Sequence, residues 1–532
     1  MEEHITPSDN AYLVETALRD IEGFPYERFI DQRVAYQESE RWINGQALAD
    51  QMDSGDSSKE IDLYPLRINP LPTTIQKHVA VLFGEPEDDG RTPVYTKMLI
   101  DSSDASKERA ATAEDFLQYL WWENGGREAM LVNGMMSHIY GGCVFKATFT
   151  PWDTMRKYPI RIDTINPRNF VGFATGGDRF RLREGWYATE MSGSEAKLYG
   201  YDGEEEAVWY VEKWKPDKYQ IWVDGKPARI TVGGKSYPVG GENPFGFVPM
   251  VYIPHIRYSE FLGVPITANV KGMIKELNLR YGDYGDAVNE DAHSIVAVRN
   301  TVNAKPSRIG EHSVIDLGSK SAITSGEGEP DMFEVNNQKA SSAMKDLLTA
   351  IWGQYRRDAF IPAVADGEDE GSQRSGLTLA IRFWPLTSHV KMERAFWTTG
   401  LDIFQGYLLR MAKMKVEGSK ITDEHLHMQM KHIWAPMLPR DREIDVQEWV
   451  QRASADIVSI ETLLEKSGDV DDIPEERQRI LDWIKARTEM EEDAKAKAVQ
   501  KYPPPNPFGG DGASPAPKGP PKKKEPSKEK PK

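Results

Sequence analysis

Apolar positions recur at helical spacing near both ends of the chain, and at alternate positions in the stretch between. Tyr12, Leu13, Ala17, Leu18 and Ile21 predict a helix from about Asn10, which Gly23-Phe24-Pro25 breaks and which resumes over Tyr26–Trp42 and fades by Met52. Residues 53–59 are a polar loop. A second helix is predicted from Pro70 to Phe83, where Gly84-Glu85-Pro86 stops it, as Gly and Pro do at helix ends. Residues 106–147 read as two helices parted at Asn124-Gly125-Gly126, followed by a strand at Val144–Phe149. From Ile160 to Ile253 the period changes to two, in runs such as Val208–Trp214 and Tyr219–Val223. Asp224-Gly225 lies between two such runs and predicts a hairpin turn.

Helical spacing returns at Pro265–Asp291 through Ile266, Val270, Ile274, Leu277 and Val288. A helix of about 27 residues would span roughly 40 Å. Residues 295–335 are short and β-like, and a returning helix is predicted over 337–358. The loop Ala365–Arg374 leads into a long helical stretch from Ser375 to Lys413, interrupted at Pro385, which lacks a backbone donor and predicts a kink. Further helices are predicted between Asp445 and Val499. From Lys501 the chain is rich in Pro, Gly and Lys, with eight lysines against three acids, and reads as disordered.

The whole is an α+β pattern in a chain of 532 residues, more than one hydrophobic core usually organises. Apolar residues make up 39% and charged residues 28%, the balance of a folded protein with a large polar surface. The single cysteine, Cys143, excludes an internal disulfide and suits a reducing assembly site. Met1-Glu2-Glu3-His4 lacks the basic and apolar regions of a secretory signal, and no apolar run reaches the roughly 20 residues of a membrane helix. A soluble chain made inside the cell, with no membrane partner, is the expectation. A net charge of −17 argues against tight phosphate gripping, though not against letting DNA slide past.

Candidate chemistry is sparse. Cys143 has small or apolar neighbours and reads as a buried structural thiol. His425, His427 and His432 alternate with Leu426, Met428 and Met430, which suits a strand with one polar face better than a metal site. Gly234-Lys235-Ser236 resembles the end of a phosphate loop, but Arg229 stands where the earlier glycine is needed and no helix pattern follows, so a hairpin turn is the reading. Trp121, Trp122 and Trp384 suit core or subunit-interface contacts better than base stacking. The acids from Asp366 to Glu370 read as a solvated loop, with divalent-ion binding as the rival. The basic tail is a solubilising extension or a DNA contact.

Several segments, taken in order, resemble the portal family of tailed bacteriophages. They are Leu82-Phe83-Gly84-Glu85-Pro86, Tyr140 to Lys146, Ile165 to Phe170, Asn243 to Pro249, Gly263-Val264-Pro265, Ala435 to Asp441 and Ile457 to Thr462. Together they cover about residues 20 to 485. Their order and spacing carry the resemblance.

The resemblance implies a portal fold: a mixed wing lobe over 1–262 with its β-rich part at 143–255, and stem helices at 263–294 and 337–358 with a small β-containing clip, 295–336, between them. It further implies a tunnel loop and kinked helix over 359–413, a wing return and helical crown over 414–500, and the tail 501–532. It implies a homo-oligomeric ring, typically of twelve subunits, at one capsid vertex, passing double-stranded DNA inward during genome packaging and outward at infection. The implied partners are the terminase large subunit, the major capsid protein and scaffold, and a head-to-tail adaptor. The site residues are then Asp366, Glu368, Asp369, Glu370, Ser372, Gln373 and Arg374 in the tunnel loop, Pro385 at the helix kink, and Lys305, Arg308 and Lys320 for docking at the clip. No catalytic group, cofactor or metal site is expected. Another ring-forming tail or baseplate protein, or a packaging enzyme, are the alternatives. An enzyme would need clustered metal carboxylates or a phosphate loop.

Overall fold

The structure is a computed structural model. It describes residues 17–48, 67–84, 93–99, 103–232, 235–258, 261–292, 295–299, 307–309, 312–316, 331–335, 338–367, 380–438, 442–455, 457–459, 462–464 and 473–501. The chain divides into two units, Met1–Arg440 and Asp441–Lys532.

In the first unit, Gly23 (φ 75°) and Pro25 set the chain into α1 (Tyr26–Ile43), which buries Phe29, Gln32, Tyr36, Ser39 and Trp42 at helical spacing. Helix α2 (Leu71–Phe83) turns Leu71, Thr74, Ile75, His78, Val79 and Leu82 inward. Its last carbonyls do not go unpaired: Arg394 donates from Nε to Leu82 O (2.9 Å) and from Nη2 to Val81 O (3.1 Å). Gly84 ends it at φ 65°, where a Cβ would lie 2.1 Å from the Pro436 carbonyl oxygen. After β1 (Val94–Met98) come α3 (Asp104–Glu123), capped by the Ser103 hydroxyl, and α4 (Gly126–Tyr140). Gly125, in the left-handed region, makes the corner between them.

The β-rich region follows as β2 (Gly142–Phe149), β3 (Ile160–Ile165), β4 (Phe170–Thr175), β5 (Asp178–Ser192), β6 (Ala207–Trp214), β7 (Lys218–Val223), β8 (Lys226–Pro227), β9 (Arg229–Val232), β10 (Lys235–Pro238), β11 (Gly240–Glu242) and β12 (Met250–Pro254). One sheet has the order β11-β7-β6-β5-β4 with β8 on β7, a second has β12-β2-β3, and β9 and β10 form a separate antiparallel pair. Strand alternation divides the side chains of the larger sheet between two faces. Trp186, Trp209, Val211 and Trp222 meet Phe24 and Phe29 on one side, while Val208, Tyr210, Ile221 and Val223 meet Ala196 and Ala228 on the other. Asp224 (φ 50°) and Gly225 (φ 72°) make the two-residue turn from β7 to β8, both in the left-handed region such a hairpin needs.

Then come α5 (Thr267–Ala292), β13 (Ile295–Arg299), β14 (Ser307–Ile309), β15 (His312–Asp316), β16 (Asp331–Val335), α6 (Gln338–Asp358), α7 (Trp384–Lys415) and β17 (Met430–Trp434), which pairs antiparallel with β1. Helix α7 organises the main core. Leu386, Val390, Trp397, Leu401, Phe404, Leu408 and Met411 form one buried stripe against α2, α3, β2 and β12. The second unit contains α8 (Arg442–Ser454) and α9 (Ile473–Lys501). The tail beyond Lys501 lies outside the described residues.

Candidate functional site: the helix pair and a buried histidine cluster

Helix α5 is amphipathic at its start. Ile266, just before it, and Val270, Ile274 and Leu277 within it are all buried. Asn278 continues the stripe as a polar latch: Nδ2 donates to Ile68 O (2.9 Å), and the Ile68 N–H donates to Oδ1 (2.8 Å). Further along, the chain leaves the core, and Leu279 and Val288 are 43% and 42% exposed. Helix α6 returns against α5, leaving Leu347 45% exposed while Leu348 and Tyr355 turn inward. Tyr355 and Thr74 share a hydroxyl hydrogen bond of 2.7 Å. Between the two helices β13–β16 form a sheet of order β14-β15-β13-β16, parallel only between β13 and β15. Arg308 lies on β14 opposite Ser313. Lys305 and Lys320 lie outside the described residues.

After α6 the chain turns at Phe360 (φ 55°) into a 3-10 turn, Ala363–Asp366. Asp366 is ion-paired with Lys77 and, at 2.9 Å, with Arg356 Nε, so its charge is compensated. Glu368, Asp369, Glu370, Ser372, Gln373 and Arg374 lie outside the described residues. Residues 380–382 are helical, Phe383 is a turn, and α7 starts at Trp384 with Pro385 in its first turn. The break in the helix therefore falls at Phe383, where the missing Pro385 N–H is tolerated.

The other sequence candidates separate. Cys143 is buried on β2, and burial pushes its thiol well above the ordinary range. Lys235 and Ser236 open β10, a strand of the hairpin, and the chain continues into β11 instead of a helix. The strand predicted through His425, His427 and His432 is only partly present. His425 lies in a short helix, Asp423–Leu426, as part of a capping box with Thr422, and His427 ends that helix. His432 alone is on β17, between Thr96 (3.0 Å) and Asp402 (2.7 Å). The two-residue pattern of His-x-His is equally produced by a helix end running into a strand. Trp121 is buried against Phe145 and Phe404, whereas Trp122 and Trp384 are exposed.

The structure also assembles a group that the sequence reading missed. His78 on α2, His138 on α4, His255 just after β12, and His389 and Glu393 on α7 meet in the main core, all buried. Glu393 Oε1 lies 2.9 Å from His255 Nε2, 3.0 Å from His389 Nε2, 3.5 Å from His138 Nε2 and 3.9 Å from His78 Nδ1. On the far side of each ring, His78 Nε2 meets Ala359 O (2.8 Å), His138 Nδ1 meets Gly134 O (2.8 Å) and His255 Nδ1 meets Val264 O (2.9 Å). The Phe360 ring stacks on His389 at 4.2 Å. Burial pushes His78 down to about 3, with His138 adding to the effect, and burial also lowers His138. At His255 burial acts downward too, but the adjacent Glu393 carboxylate outweighs it and raises the imidazole. Burial alone would raise Glu393; His138 and His255 overcome it and hold the carboxyl well below its usual range.

A signal for this cluster was present in the periodicity. Glu393 occupies the inward stripe of α7 between Val390 and Trp397, four residues after His389, and His78 occupies that of α2 between Ile75 and Leu82. Polar residues at inward positions of several helices must meet one another or remain unpaired.

A family model described as phage portal protein, SPP1 Gp6-like, matches residues 197–493, more than half of the chain. The protein belongs to the phage portal family, a class of virion structural proteins concerned with genome packaging and the head-to-tail connection. No curated protein matches the chain. Among the described residues no helix is long and apolar enough to cross a membrane.

Proposed function

We propose that this portal protein assembles into a ring, with twelve subunits in the virion, whose axis carries double-stranded DNA into the capsid and out again. In this reading α5 and α6 are the stem helices, the sheet β13–β16 is the clip, residues 359–413 form the tunnel loop and its kinked helix, and 440–499 is the crown. The observation that carries it is the paired helices closed by a small sheet, with Leu279, Val288 and Leu347 left outside the subunit's own core. Apolar positions repeated along two helices call for a neighbour, and a head-to-tail contact that closes gives a ring.

An acidic chain suits the task, because each phosphate gripped by a cation adds affinity and would stall a sliding duplex. The terminase large subunit and later the head-to-tail adaptor would dock at the clip, while the major capsid protein and scaffold would meet the outer rim. Negative-stain microscopy with light scattering tests the ring. Closed rings with a central opening are expected, and monomer alone across micromolar concentrations and a range of salt would overturn the proposal.

A further inference from the structure

We infer that the cluster of His78, His138, His255, His389 and Glu393 holds one divalent transition-metal ion of the zinc type, liganded by Glu393 and by up to three of the histidines. A backbone carbonyl only accepts, so the ring nitrogens of His78, His138 and His255 that meet Ala359, Gly134 and Val264 carry the protons. In the neutral imidazole the opposite nitrogen then presents a lone pair, and all three lone pairs aim at Glu393 Oε1. Lone pairs converging on a carboxylate repel unless something positive lies among them.

One proton on His255 relieves only its own contact. His78 Nδ1, His138 Nε2, both His389 nitrogens and Glu393 Oε2 still make no hydrogen bond, although all are buried. Charging a second imidazole would set like charges side by side, since the His138 and His255 ring centroids are 4.4 Å apart. A cation bound to the carboxylate and to inward nitrogens of the cluster gives several of these atoms a partner at once, leaving the second His389 nitrogen outside its reach.

The geometry suits such an ion. Each of the triads His78/His138/Glu393 and His255/His389/Glu393 has its candidate ligand atoms within 4.8 Å of one another. Zinc bonds of about 2.0–2.1 Å in a tetrahedron separate ligand atoms by roughly 3.3 Å, so small side-chain movements suffice. Imidazoles whose outer N–H is tied to a backbone carbonyl are also the arrangement by which proteins orient metal ligands. The site gathers its ligands from α2, α4, the end of β12 and α7, and two of the tethering carbonyls flank the helix pair. Val264 precedes α5, and Ala359 directly follows α6. The ion would therefore tie the base of the pair, where the chain enters α5 and leaves α6, to α7. This inference is independent of the DNA-channel reading.

The test uses the full-length protein without a histidine tag, equilibrated with zinc, freed of excess and analysed for metal. About one ion per subunit is expected, and cobalt loading should give the visible absorption of a low-coordinate nitrogen/oxygen site. His389→Ala and Glu393→Gln, checked for folding by circular dichroism, should weaken zinc binding at least ~100-fold. Should both variants fail to fold, the wild-type cobalt spectrum and the fall in melting temperature on chelation decide the matter. Absence of zinc and cobalt uptake by wild type, with a melting temperature unmoved by either ion or by chelator, would overturn the inference. So would folded variants that keep the full metal complement.

Discussion

Gly141 and Gly263 meet backbone to backbone: a Cβ on Gly141 would lie 2.3 Å from the Gly263 carbonyl oxygen, and one on Gly263 would lie 2.1 Å from that of Gly141. The contact joins the end of α4 to the segment that leads into α5. The Gly141 carbonyl also accepts from the His255 N–H (2.9 Å) and the Tyr252 hydroxyl (3.1 Å). Gly141 has φ 79° in addition, so a side chain there meets both backbone strain and a rigid obstacle. Gly141→Ala, which meets strain and overpacking together, should cost about 2–4 kcal/mol, and Gly263→Ala, which meets overpacking alone, about 1–3 kcal/mol. Gly125→Ala is the control. It has φ 75° with nothing near a Cβ, and should cost only about 1 kcal/mol. Denaturant midpoints for the three variants check the ordering.

Lys146 on β2 places Nζ 2.7 Å from both oxygens of Glu212 on β6, joining the two sheets through a buried ion pair. Glu212 also accepts from the Tyr210 hydroxyl (2.8 Å) and Trp214 Nε1 (2.7 Å). Glu212→Ala should cost about 3–5 kcal/mol, because it strands a buried ammonium, and Lys146→Met should cost a similar amount for the converse reason. Combined with Lys146→Met, Glu212→Leu should be less damaging than the sum of the single losses. A double-mutant cycle by chemical denaturation measures that coupling, and simple additivity would show that the charges act independently.

Much of the architecture was legible in the sequence where periodicity and chain breakers agreed. Residues 70–83 show helical spacing closed by Gly84, and 208–214 and 219–223 show alternation followed by Asp224-Gly225; both became the elements those patterns specify. Short polar-apolar alternation failed at His425, because a single helical turn followed by a loop places side chains much as the start of a strand does. The histidine cluster was hidden for a different reason. Its members are up to 315 residues apart, from His78 to Glu393, and only tertiary contacts bring them together. Spacing motifs detect groups that are near in sequence, whereas α2, α4, α7 and the segment after β12 each supply only one or two.

The proposed clip role makes a prediction about charge. Lys305, Arg308 and Lys320 are basic positions between the two long helices of a chain with net charge −17. Charges on a docking face steer partners and set association rates more than they stabilise a fold. Lys305→Glu together with Arg308→Glu should leave rings intact in negative stain but reduce co-sedimentation with the terminase large subunit and the head-to-tail adaptor. The loss should be greatest at low salt, where screening is weakest. Wild-type binding by those rings would exclude the clip cations from docking.

The proposed tunnel loop yields the sharpest prediction, and Asp366 changes how it should be tested. Ion pairs from Asp366 to Lys77 and Arg356 tie the start of the loop to α2 and α6, so this acid contributes little free charge to any collar. Glu368, Asp369 and Glu370 are then the acids available to face DNA, with Gly367, Gly371 and Ser372 permitting many backbone conformations around them. Repeated around a ring, those carboxylates would repel phosphates, while Arg374 supplies a weak attraction; a low-friction constriction is the expected result. Deleting 368–372 preserves the Asp366 anchor and removes the collar. Rings should form normally, with an unchanged melting temperature, while the yield of DNA-filled heads falls. Asp366→Ala separates anchoring from charge: it should weaken stability by no more than about 1 kcal/mol, as exposed ion pairs do, and leave the collar in place. Should the deletion variant fill heads and retain a full genome as efficiently as wild type, residues 368–372 have no part in DNA passage, and the constriction must be built from other positions.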